Sequence, residues 1–472
     1  MQLWVHWATA LFLWIATGSA SSNNDLDVST DPSSFDPDSI IRRDVAVIGG
    51  GSSGIYTALR LRDYNKTVVV VEKKTIIGGH AETYVDPYTG YTIDIGVVIF
   101  ARLKVVADYF ARFRVPLGNF SISGGPQPEY VDFSTGKSVY VSSPSNAALA
   151  TALNTYATQL LKYPGLRDGF NLTYPVEPDL LLPFGDFVVK YNLQALVPTV
   201  FIVNQGYAPI LNISTLYLFK YLNLDQVTSF GQGYWTTAKQ NIQELYQKAA
   251  VSLGRNLYTS SSVIAINRSD KGSVRVLVNT PTGRKLIIAK KLVSTPPPTI
   301  DSLGGYDLSE DETCLFSQFF ANAYYTGVLN HTGFDKRFRA AGPGQPYNIP
   351  ELPGPYIFFP NQGLTQVYYG SPEVLSADYV KADILAIIKR VQKVRGLPIT
   401  TPEWLTFSAH APFNLQVSNE AIQAGFYKKL FALQGQRNTF YNGAAWQTQD
   451  SSAIWQFTED YILPLILASL QY

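Results

Sequence analysis

Three glycines and one acidic residue near the start of the chain have the types and spacing of a dinucleotide-binding site. Gly49, Gly51 and Gly54 form the pattern G-x-G-x-x-G, and Glu72 follows at the end of the next apolar run. In this pattern the first glycine permits a tight turn, the second lets the backbone approach a pyrophosphate, and the third permits close helix-to-strand packing. A carboxylate at Glu72 can accept hydrogen bonds from both ribose hydroxyls of an adenosine and repels a 2′-phosphate. The four residues therefore predict a site for an unphosphorylated adenosine dinucleotide.

A strand, a turn, a helix and a second strand must position these residues, and the sequence predicts each of them. The apolar run 45–48 is typical of a parallel strand that is buried on both faces. The apolar residues after Gly54 repeat at the spacing of an amphipathic helix, and the run 68–71 predicts a second buried strand. The start of that helix, beside Ser53, offers free N–H groups and a positive dipole end to phosphate. A chance glycine turn would lack this surrounding order of elements.

The composition of the chain restricts its functions. The chain has 472 residues, enough for a large core and for two or three domains. A net charge of +1 and 15% of charged residues give no reason to expect nucleic acid as a partner. The 46% of hydrophobic and 13% of aromatic residues are typical of an enzyme with an apolar interior or ligand cavity.

The first forty residues predict entry into the secretory pathway. Residues 1–20 contain an apolar stretch and end in small residues, as in a signal peptide that is cleaved after Ala20. Because no Lys or Arg precedes the apolar stretch, an N-terminal anchor is the alternative. Residues 21–40 are polar and acidic, which predicts a flexible linker. N-glycosylation sequons support a secreted or secretory-lumen location; they lie at Asn65, Asn119, Asn171, Asn212, Asn267 and Asn330.

The remaining sequence contains no segment with the length and apolarity of a membrane span. The C-terminal run YILPLILASL is too short and contains Pro464. It predicts a helix packed in the core, with a peripheral membrane contact as the alternative.

A second glycine pair follows the first motif and carries a family resemblance. Gly78 and Gly79 come after Glu72 and are followed by His80. This order resembles the flavin-dependent amine oxidase and phytoene desaturase superfamily and, within it, the fungal β-cyclopiazonate dehydrogenase family. The resemblance implies FAD as the cofactor, with the glycine pair on its flavin side. The superfamily usually has an arginine where this chain has His80, so we predict that His80 lies near the flavin ring or a phosphate, with a purely structural histidine as the alternative.

The resemblance extends to two later stretches. It implies that the backbone at Val263, in a predicted strand, meets the adenine. It also implies that the turn at Gly443 and Ala444 meets the ribityl chain, and that a helix starting at Ser451 faces the pyrimidine carbonyl of the flavin. A helix dipole in that place stabilises the negative charge of reduced flavin. Trp446 adjoins this turn, and we predict that it and His80 are the catalytic residues that contact the substrate.

The predicted fold is α/β: a Rossmann-like FAD-binding domain, discontinuous in sequence, with an inserted α+β substrate domain. The cofactor domain is assigned to 41–115, 230–300 and 435–472. The substrate domain is assigned to 116–229 and 301–434.

Other kinds of site lack support in the sequence. The single cysteine, Cys314, excludes an intramolecular disulfide, and we interpret it as a small buried hydrophobe rather than a flavin attachment point. His80, His331 and His410 show no metal-ligand spacing, so no metal is expected. His410 has apolar neighbours and is predicted to be a satisfied core histidine. No G-x-S-x-G elbow of a serine hydrolase is present.

The function predicted from these features is an FAD-dependent oxidoreductase of the secretory pathway. It would oxidise or desaturate a small apolar metabolite, such as a terpenoid or alkaloid intermediate, by hydride transfer to flavin N5, with molecular oxygen as a candidate acceptor. The alternative is a flavin-dependent double-bond isomerase of an unsaturated fatty acid, without net redox. A third reading is a secreted glycoprotein that keeps a nucleotide fold for structure alone.

Overall fold

The structure is a computed structural model that describes residues 28–121, 127–270 and 272–471. The predicted signal peptide, 1–20, lies outside the described residues. The described part of the predicted flexible linker contains two short 3-10 helices, Pro32–Ser34 and Pro37–Ser39, which Asp31 and Asp36 cap with their carboxylates. In the described ranges, no helix has the length and apolarity needed to cross a membrane.

The strands and helices of the described ranges are as follows. The strands are β1 (Ile40–Ile48), β2 (Val68–Val71), β3 (Thr83–Val85), β4 (Thr92–Asp94), β5 (Leu117–Phe120), β6 (Glu129–Asp132), β7 (Lys137–Ser138), β8 (Tyr234–Thr237), β9 (Leu257–Tyr258), β10 (Ser262–Asn267), β11 (Val274–Thr280), β12 (Gly283–Ser294), β13 (Phe320–Ala321), β14 (Ala323–Asn330), β15 (Phe338–Ala340), β16 (Gly354–Asn361), β17 (Leu364–Ser371), β18 (Glu403–His410), β19 (Leu415–Gln416) and β20 (Thr439–Tyr441). The helices are α1 (Ser52–Asp63), α2 (Lys104–Arg112), α3 (Asn146–Leu160), α4 (Pro178–Leu181), α5 (Phe184–Lys190), α6 (Val197–Val203), α7 (Thr215–Tyr221), α8 (Leu224–Gln232), α9 (Gln243–Leu253), α10 (Glu310–Phe316), α11 (Ala377–Arg395), α12 (Asn419–Gln423), α13 (Phe426–Ala432), α14 (Ser451–Phe457) and α15 (Leu463–Ser469).

The first large sheet has the strand order β10-β11-β12-β1-β2-β9, with β20 paired to β12. Its centre is parallel, since β1 pairs in parallel with both β2 and β12. The valines of β2 and the end of β1 are fully buried, as expected for a parallel sheet covered on both faces. β12 is one strand of twelve residues, which ends just before the prolines at 296–298.

The second large sheet has the order β18-β14-β17-β16-β15-β6-β7 and is mostly antiparallel. The helix α11 covers one face of it with a stripe of buried residues, Val380, Ile384, Ile387, Ile388 and Val391. Ser376 caps the start of this helix and Gly396, in the left-handed region, ends it. The helices α3–α8 also lie outside the Rossmann-like sheet, in the stretch of chain between β7 and β8. The domain boundaries drawn from the sequence stay a prediction.

A buried ionic network joins α10 to the last strand of the first sheet. The side chain of Arg268, just after β10, is fully buried. It donates to both carboxylate oxygens of Glu312, at 2.7 and 2.9 Å, and to Oδ1 of Asp307 at 2.7 Å. It also donates to the hydroxyl of Tyr441 on β20 at 3.2 Å. A bidentate arginine–carboxylate pair of this kind fixes both distance and orientation, so it positions β20 and the turn that follows.

Candidate cofactor and substrate site

Two glycines of the first motif are required by the packing of the protein itself. Gly49 has a φ of +101°, and a Cβ there would lie 2.2 Å from Oγ1 of Thr295. A Cβ on Gly54 would lie 2.0 Å from the carbonyl oxygen of Gly49, so only glycine lets α1 pack this closely on the end of β1.

Gly51 has a different environment. A Cβ on this residue would contact only the Cα of Gly79, at an ordinary 3.7 Å, so no described protein atom requires a glycine there. Gly51 is also the N-cap of α1, and no side chain caps the free N–H groups of that helix. An open cradle above uncapped N–H groups fits a pyrophosphate, which needs both the space and the donors.

The second glycine pair lies against the first motif. Gly78 donates its N–H to the carbonyl oxygen of Gly50 at 2.8 Å, and Gly51 and Gly78 form a parallel bridge. Gly78 and Gly79 have φ values of +126° and +65°, which favour glycine. The first glycine motif and the glycine pair, which are separate in the sequence, are therefore in direct contact in the fold.

Glu72 is buried at the end of β2 and holds the glycine turn. Its Oε2 accepts from the N–H of Gly50 at 2.6 Å, and its Oε1 accepts from the N–H of Lys74 at 2.7 Å. Each carboxylate oxygen can accept a further hydrogen bond, which fits the predicted contact with a ribose. Ser261 donates its N–H to the carbonyl oxygen of Glu72 at 2.9 Å, so the start of β10, with Val263, lies beside the same strand end.

Glu72→Ala is expected to weaken FAD binding by roughly tenfold to a hundredfold, because it removes a charged acceptor from the ribose and loosens the Gly50 turn. The measurement is the dissociation constant of FAD from fluorescence titration. Glu82→Ala is the matched control, since Glu82 pairs with the side chain of Lys74 rather than with the glycine turn. An equal loss of affinity in both variants would contradict the ribose assignment.

The C-terminal glycine turn, which includes Gly443, lies beside the start of α1. Gly443 has a φ of +125°, and a Cβ there would lie 3.5 Å from Oγ of Ser53 in α1. Ser52 donates its hydroxyl to Oγ of Ser451 at 2.9 Å, so α1 and α14 begin side by side. Asp450 caps α14 by accepting from the N–H of Ser452, as expected. Ala444 follows Gly443 in this turn.

The residues present fit FAD. The cradle at Gly51 and the α1 N-terminus would hold the pyrophosphate, Glu72 the ribose, and the Gly443–Ser451 turn the flavin end. Bound FAD supplies a hydride acceptor.

The side chain of Trp446 is almost completely buried, stacks on Tyr441 at 5.1 Å and meets Phe431 edge-on at 5.6 Å. It therefore supports the turn from the core side, and its contact with a substrate stays a prediction. Cys314 differs from its prediction, because its side chain is exposed and not a buried hydrophobe.

His80 lies at the edge of a group of six rings that we call the ring cluster: His80, Tyr207, Tyr324, Tyr368, His410 and Phe413. The rings of His80 and His410 stack with centroids 4.3 Å apart and planes inclined by 20°. Phe413 stacks on both histidines, at 5.7 and 6.4 Å, and Tyr324 lies 5.4 Å from Phe413. Because His80 directly follows Gly79, the ring cluster begins where the cofactor motifs end.

His410 is not the satisfied core histidine that its neighbours in sequence suggested. It is buried, and its Nε2 has no hydrogen-bond partner among the described residues. The pairing of β14 with β18 sets His410 opposite Tyr324, and this long-range register is what brings it to His80. No local sequence signal could have identified the stacked pair.

Burial holds both imidazoles in the neutral form. Burial, and then the positive charge of Lys74, lower the pKa of His80 to about 4, against opposing effects of Glu82 and a hydrogen bond with Gln449. Burial, and then His80 and Lys74, hold the pKa of His410 well below its usual value. At neutral pH the pair can therefore accept a proton, and it adds no charge to the apolar ring cluster.

This neutral state has a consequence for stability. Between about pH 6.5 and pH 4 the unfolded chain binds protons at His80 that the folded chain does not, so acidification should lower the free energy of unfolding. The effect of His80 is at most about 3 kcal/mol. His80→Gln should therefore lose less stability than the wild type between pH 7 and pH 5, measured by chemical denaturation of the holoenzyme. Parallel losses in the two proteins would contradict a neutral His80.

A reactive lysine and a metal site are two other kinds of chemistry for which the described residues give little support. Lys220 on α7 is buried and burial lowers its pKa, but its ammonium donates to the carbonyl oxygens of Leu166 and Gly169 and to the side chain of Gln447, so its donors are satisfied. Within the described ranges, no group of three or more His, Cys, Asp or Glu side chains is placed to hold a metal ion.

Comparison with known proteins identifies relatives of the whole chain. Residues 47–113 match the family model of NAD(P)-binding Rossmann-like domains. The chain is 40% identical to the FAD-dependent oxidoreductase oblC of Cochliobolus heterostrophus, over 94% of this chain and 95% of that protein. It is 32% identical to the β-cyclopiazonate dehydrogenase of Aspergillus oryzae, over 89% of this chain and 92% of that protein. A solved structure of a CLA-producing fatty acid isomerase from P. acnes has the same fold, with a TM-score of 0.72 over 89% of this chain and 98% of that one, at 18% identity.

These matches confirm the predicted fold class, cofactor and enzyme class. The two sequence relatives cover nearly the whole chain at identities well above those of chance similarity. The chain belongs to the β-cyclopiazonate dehydrogenase family of fungal FAD-dependent oxidoreductases.

Proposed function

We propose that this FAD-dependent oxidoreductase oxidises or desaturates a small, flat metabolite that lies against the ring cluster, with a hydride leaving the substrate for the flavin. The observation that carries the proposal is the continuity of the site. His80 follows the glycine pair of the cofactor motif and stacks on His410 and Phe413, so a substrate among these rings lies next to the flavin side. Flat apolar rings orient such a substrate by stacking, which hydride transfer requires more than charge.

The experiment is anaerobic mixing of the yellow holoenzyme with candidate terpenoid and alkaloid intermediates. Without oxygen, net oxidation of a substrate leaves the flavin reduced, so its visible absorbance is bleached. Return of that absorbance when oxygen is readmitted would show that oxygen can act as the acceptor. A fatty acid isomerase, as the P. acnes protein with the same fold is named, would convert its substrate and leave the flavin oxidised. Conversion of an unsaturated fatty acid without net reduction would therefore contradict the proposal.

In this proposal His80 touches the reacting part of the site. Removal of a hydride from a C–H bond leaves a proton to be taken from the neighbouring atom, and the unprotonated imidazole of His80 has the free lone pair that can accept it. Its pKa of about 4 makes it a weak base at neutral pH, so its contribution lies at the lower end of the range for general-base catalysis.

His80→Gln should lower the rate of anaerobic flavin reduction by about 10²-fold, the lower end of the usual effect of a general base because the pKa of His80 is about 4. It should also change the flavin potential or spectrum, because the ring lies beside the glycine pair. Stopped-flow absorbance and potentiometry are the measurements. The control is His331→Asn, which removes an exposed histidine that has a φ of +51°, a conformation that asparagine tolerates. Unchanged kinetics and potential in His80→Gln would leave the histidine with a structural role only.

Location in the secretory pathway belongs to the same proposal. The sequon residues Asn65, Asn119, Asn171 and Asn212 are exposed, whereas Asn267 and Asn330 are half-buried. We therefore expect attached glycans at the exposed sequons when the chain is expressed in a fungal host. A fall in mass after endoglycosidase treatment supports this expectation, and an unmodified intracellular protein contradicts it.

A further inference from the structure

Asn204 is a fully buried residue whose hydrogen-bonding capacity the described protein does not use. It follows the last turn of α6, and its relative exposure is 0%. Neither Nδ2 nor Oδ1 of its carboxamide has a hydrogen-bond partner in the described residues. A buried polar group without a partner destabilises the folded state, so folded proteins rarely keep one without a reason.

The loop that starts at Asn204 packs on the ring cluster. A Cβ on Gly206 would lie 2.5 Å from the ring of Phe413 and 2.9 Å from the Cβ of Tyr324, so this glycine permits direct contact. Tyr324 donates its hydroxyl to Oε1 of Gln205 at 3.0 Å. Tyr207, which donates its N–H to the carbonyl oxygen of Asn204, is itself a member of the ring cluster.

Further unpaired buried polar atoms lie around the same rings. They are Nε2 of His410, Oγ1 of Thr326 and Nδ2 of Asn414. Thr326 pairs with Tyr368 and Ser408 across β14, and Asn414 directly follows Phe413. The rings thus supply apolar faces, and the residues that carry the unpaired donors and acceptors belong to the ring cluster or lie next to its members in the chain or the sheet.

By contrast, a buried asparagine nearby is fully bonded. Asn322 donates from Nδ2 to the carbonyl oxygen of Ala208, and its Oδ1 accepts from the side chain of Gln416. Its N–H donates to the carbonyl oxygen of Asn414, so it belongs to the same region. Unpaired amides are therefore not a general property of this part of the fold.

We propose that the substrate carries a hydrogen-bonding group with both a donor and an acceptor, such as a hydroxyl or an amide, on its flat apolar frame, and that Asn204 binds this group. This inference rests on the proposed function, since it names the substrate class of the same site. It replaces the plain apolar metabolite of the sequence prediction with a flat molecule that has a polar substituent. A site built to bond such a group rejects analogues that lack it, because the buried amide is then left unpaired.

The test uses two probes of nearly equal shape, 2-naphthol and 2-methylnaphthalene, in calorimetric titrations of the holoenzyme without oxygen. We expect the wild type to bind 2-naphthol at least about tenfold more tightly. In Asn204→Leu and in the smaller Asn204→Ala, the ratio of the two dissociation constants should fall close to one. A ratio near one in the wild type, a preference that survives in both variants, or failure of both probes to bind would overturn the proposal.

Stability gives a second readout that a structural asparagine would not share. Asn204→Leu removes an unpaired amide and should raise the melting temperature of the substrate-free holoenzyme by roughly 2 °C. The matched control Asn322→Leu removes a bonded amide and should lower it. If Asn204→Leu and Asn204→Ala both lower the melting temperature as much as Asn322→Leu does, the amide is satisfied within the protein and the proposal is wrong. Probe binding is independent of flavin reduction, so these results stay distinguishable from a failure of the proposed oxidation.

Discussion

Gly51→Val should yield a folded protein that retains no FAD. A Cβ at this position has room, with only the Cα of Gly79 at 3.7 Å, so the first carbon of a side chain fits without displacing the backbone. The added methyl groups occupy the cradle over the α1 N-terminus, where the backbone must approach a pyrophosphate. We expect the affinity for FAD to fall at least about a hundredfold, which corresponds to about 3 kcal/mol.

The measurement is the ratio of visible to ultraviolet absorbance after purification, with circular dichroism to verify folding. Gly231→Val is the matched control. Gly231 lies in α8 and belongs to no cofactor motif, and a Cβ there would have no atom from outside its own helix within 4 Å. A yellow, fully loaded Gly51→Val protein would falsify the phosphate assignment. Loss of FAD in both variants would point to a general folding defect instead.

Arg268→Met should cause the largest loss of stability among the substitutions considered. It leaves the carboxylate of Glu312, which is 3% exposed, without its bidentate partner and with Arg437, at 3.4 Å, as its remaining cationic neighbour in the described residues. Breaking a buried pair by removing one partner typically costs about 3–5 kcal/mol, because a buried charge remains uncompensated. Burial alone raises the pKa of Glu312, but the hydrogen bonds from Arg268 and Tyr441 outweigh it and hold the pKa below its usual value. The stabilisation is therefore present at neutral pH and is lost as the pH falls through the acidic range.

The measurement is the midpoint of urea unfolding of the holoenzyme at pH 7. The double variant Arg268→Met with Glu312→Leu should recover most of the loss, because it removes both charges together. Arg275→Met is the control for an exposed pair: Arg275 lies 3.4 Å from Asp270 at the surface, and its loss should cost at most about 1 kcal/mol. An Arg268→Met protein as stable as Arg275→Met would show that the network contributes little.

The sequence was most informative where the physical cause is local. The valine run of β2, the glycines before α1 and the carboxylate of Glu72 lie within one strand–helix–strand unit, and each follows from steric or hydrogen-bonding needs of neighbouring residues. The capping of α14 by Asp450 is likewise a local property. These features could be predicted without knowledge of the rest of the chain.

The substrate side of the site depends on contacts that no local pattern contains. His410 meets His80 only because β18 pairs with β14 in one register, and its apolar neighbours in sequence indicate a core position equally well. Trp446 adjoins the cofactor turn in sequence, yet its side chain packs into the core against Tyr441. Asn204 has no sequence signal, because an unpaired amide is recognised only when its surroundings are known. Prediction of the substrate side from the sequence would have required the side-chain directions and the strand register, and not only the types of the elements.

The cofactor cradle is formed by two segments that lie far apart in the sequence and are therefore synthesised at different times. The hydroxyl contact between Ser52 and Ser451 joins residues separated by 399 positions, and β20 enters the first sheet beside β12. A nascent chain that has emerged only as far as β12 has the pyrophosphate turn but lacks the wall that α14 provides. The complete flavin site can therefore form only after the chain has been synthesised through α14, at residue 457.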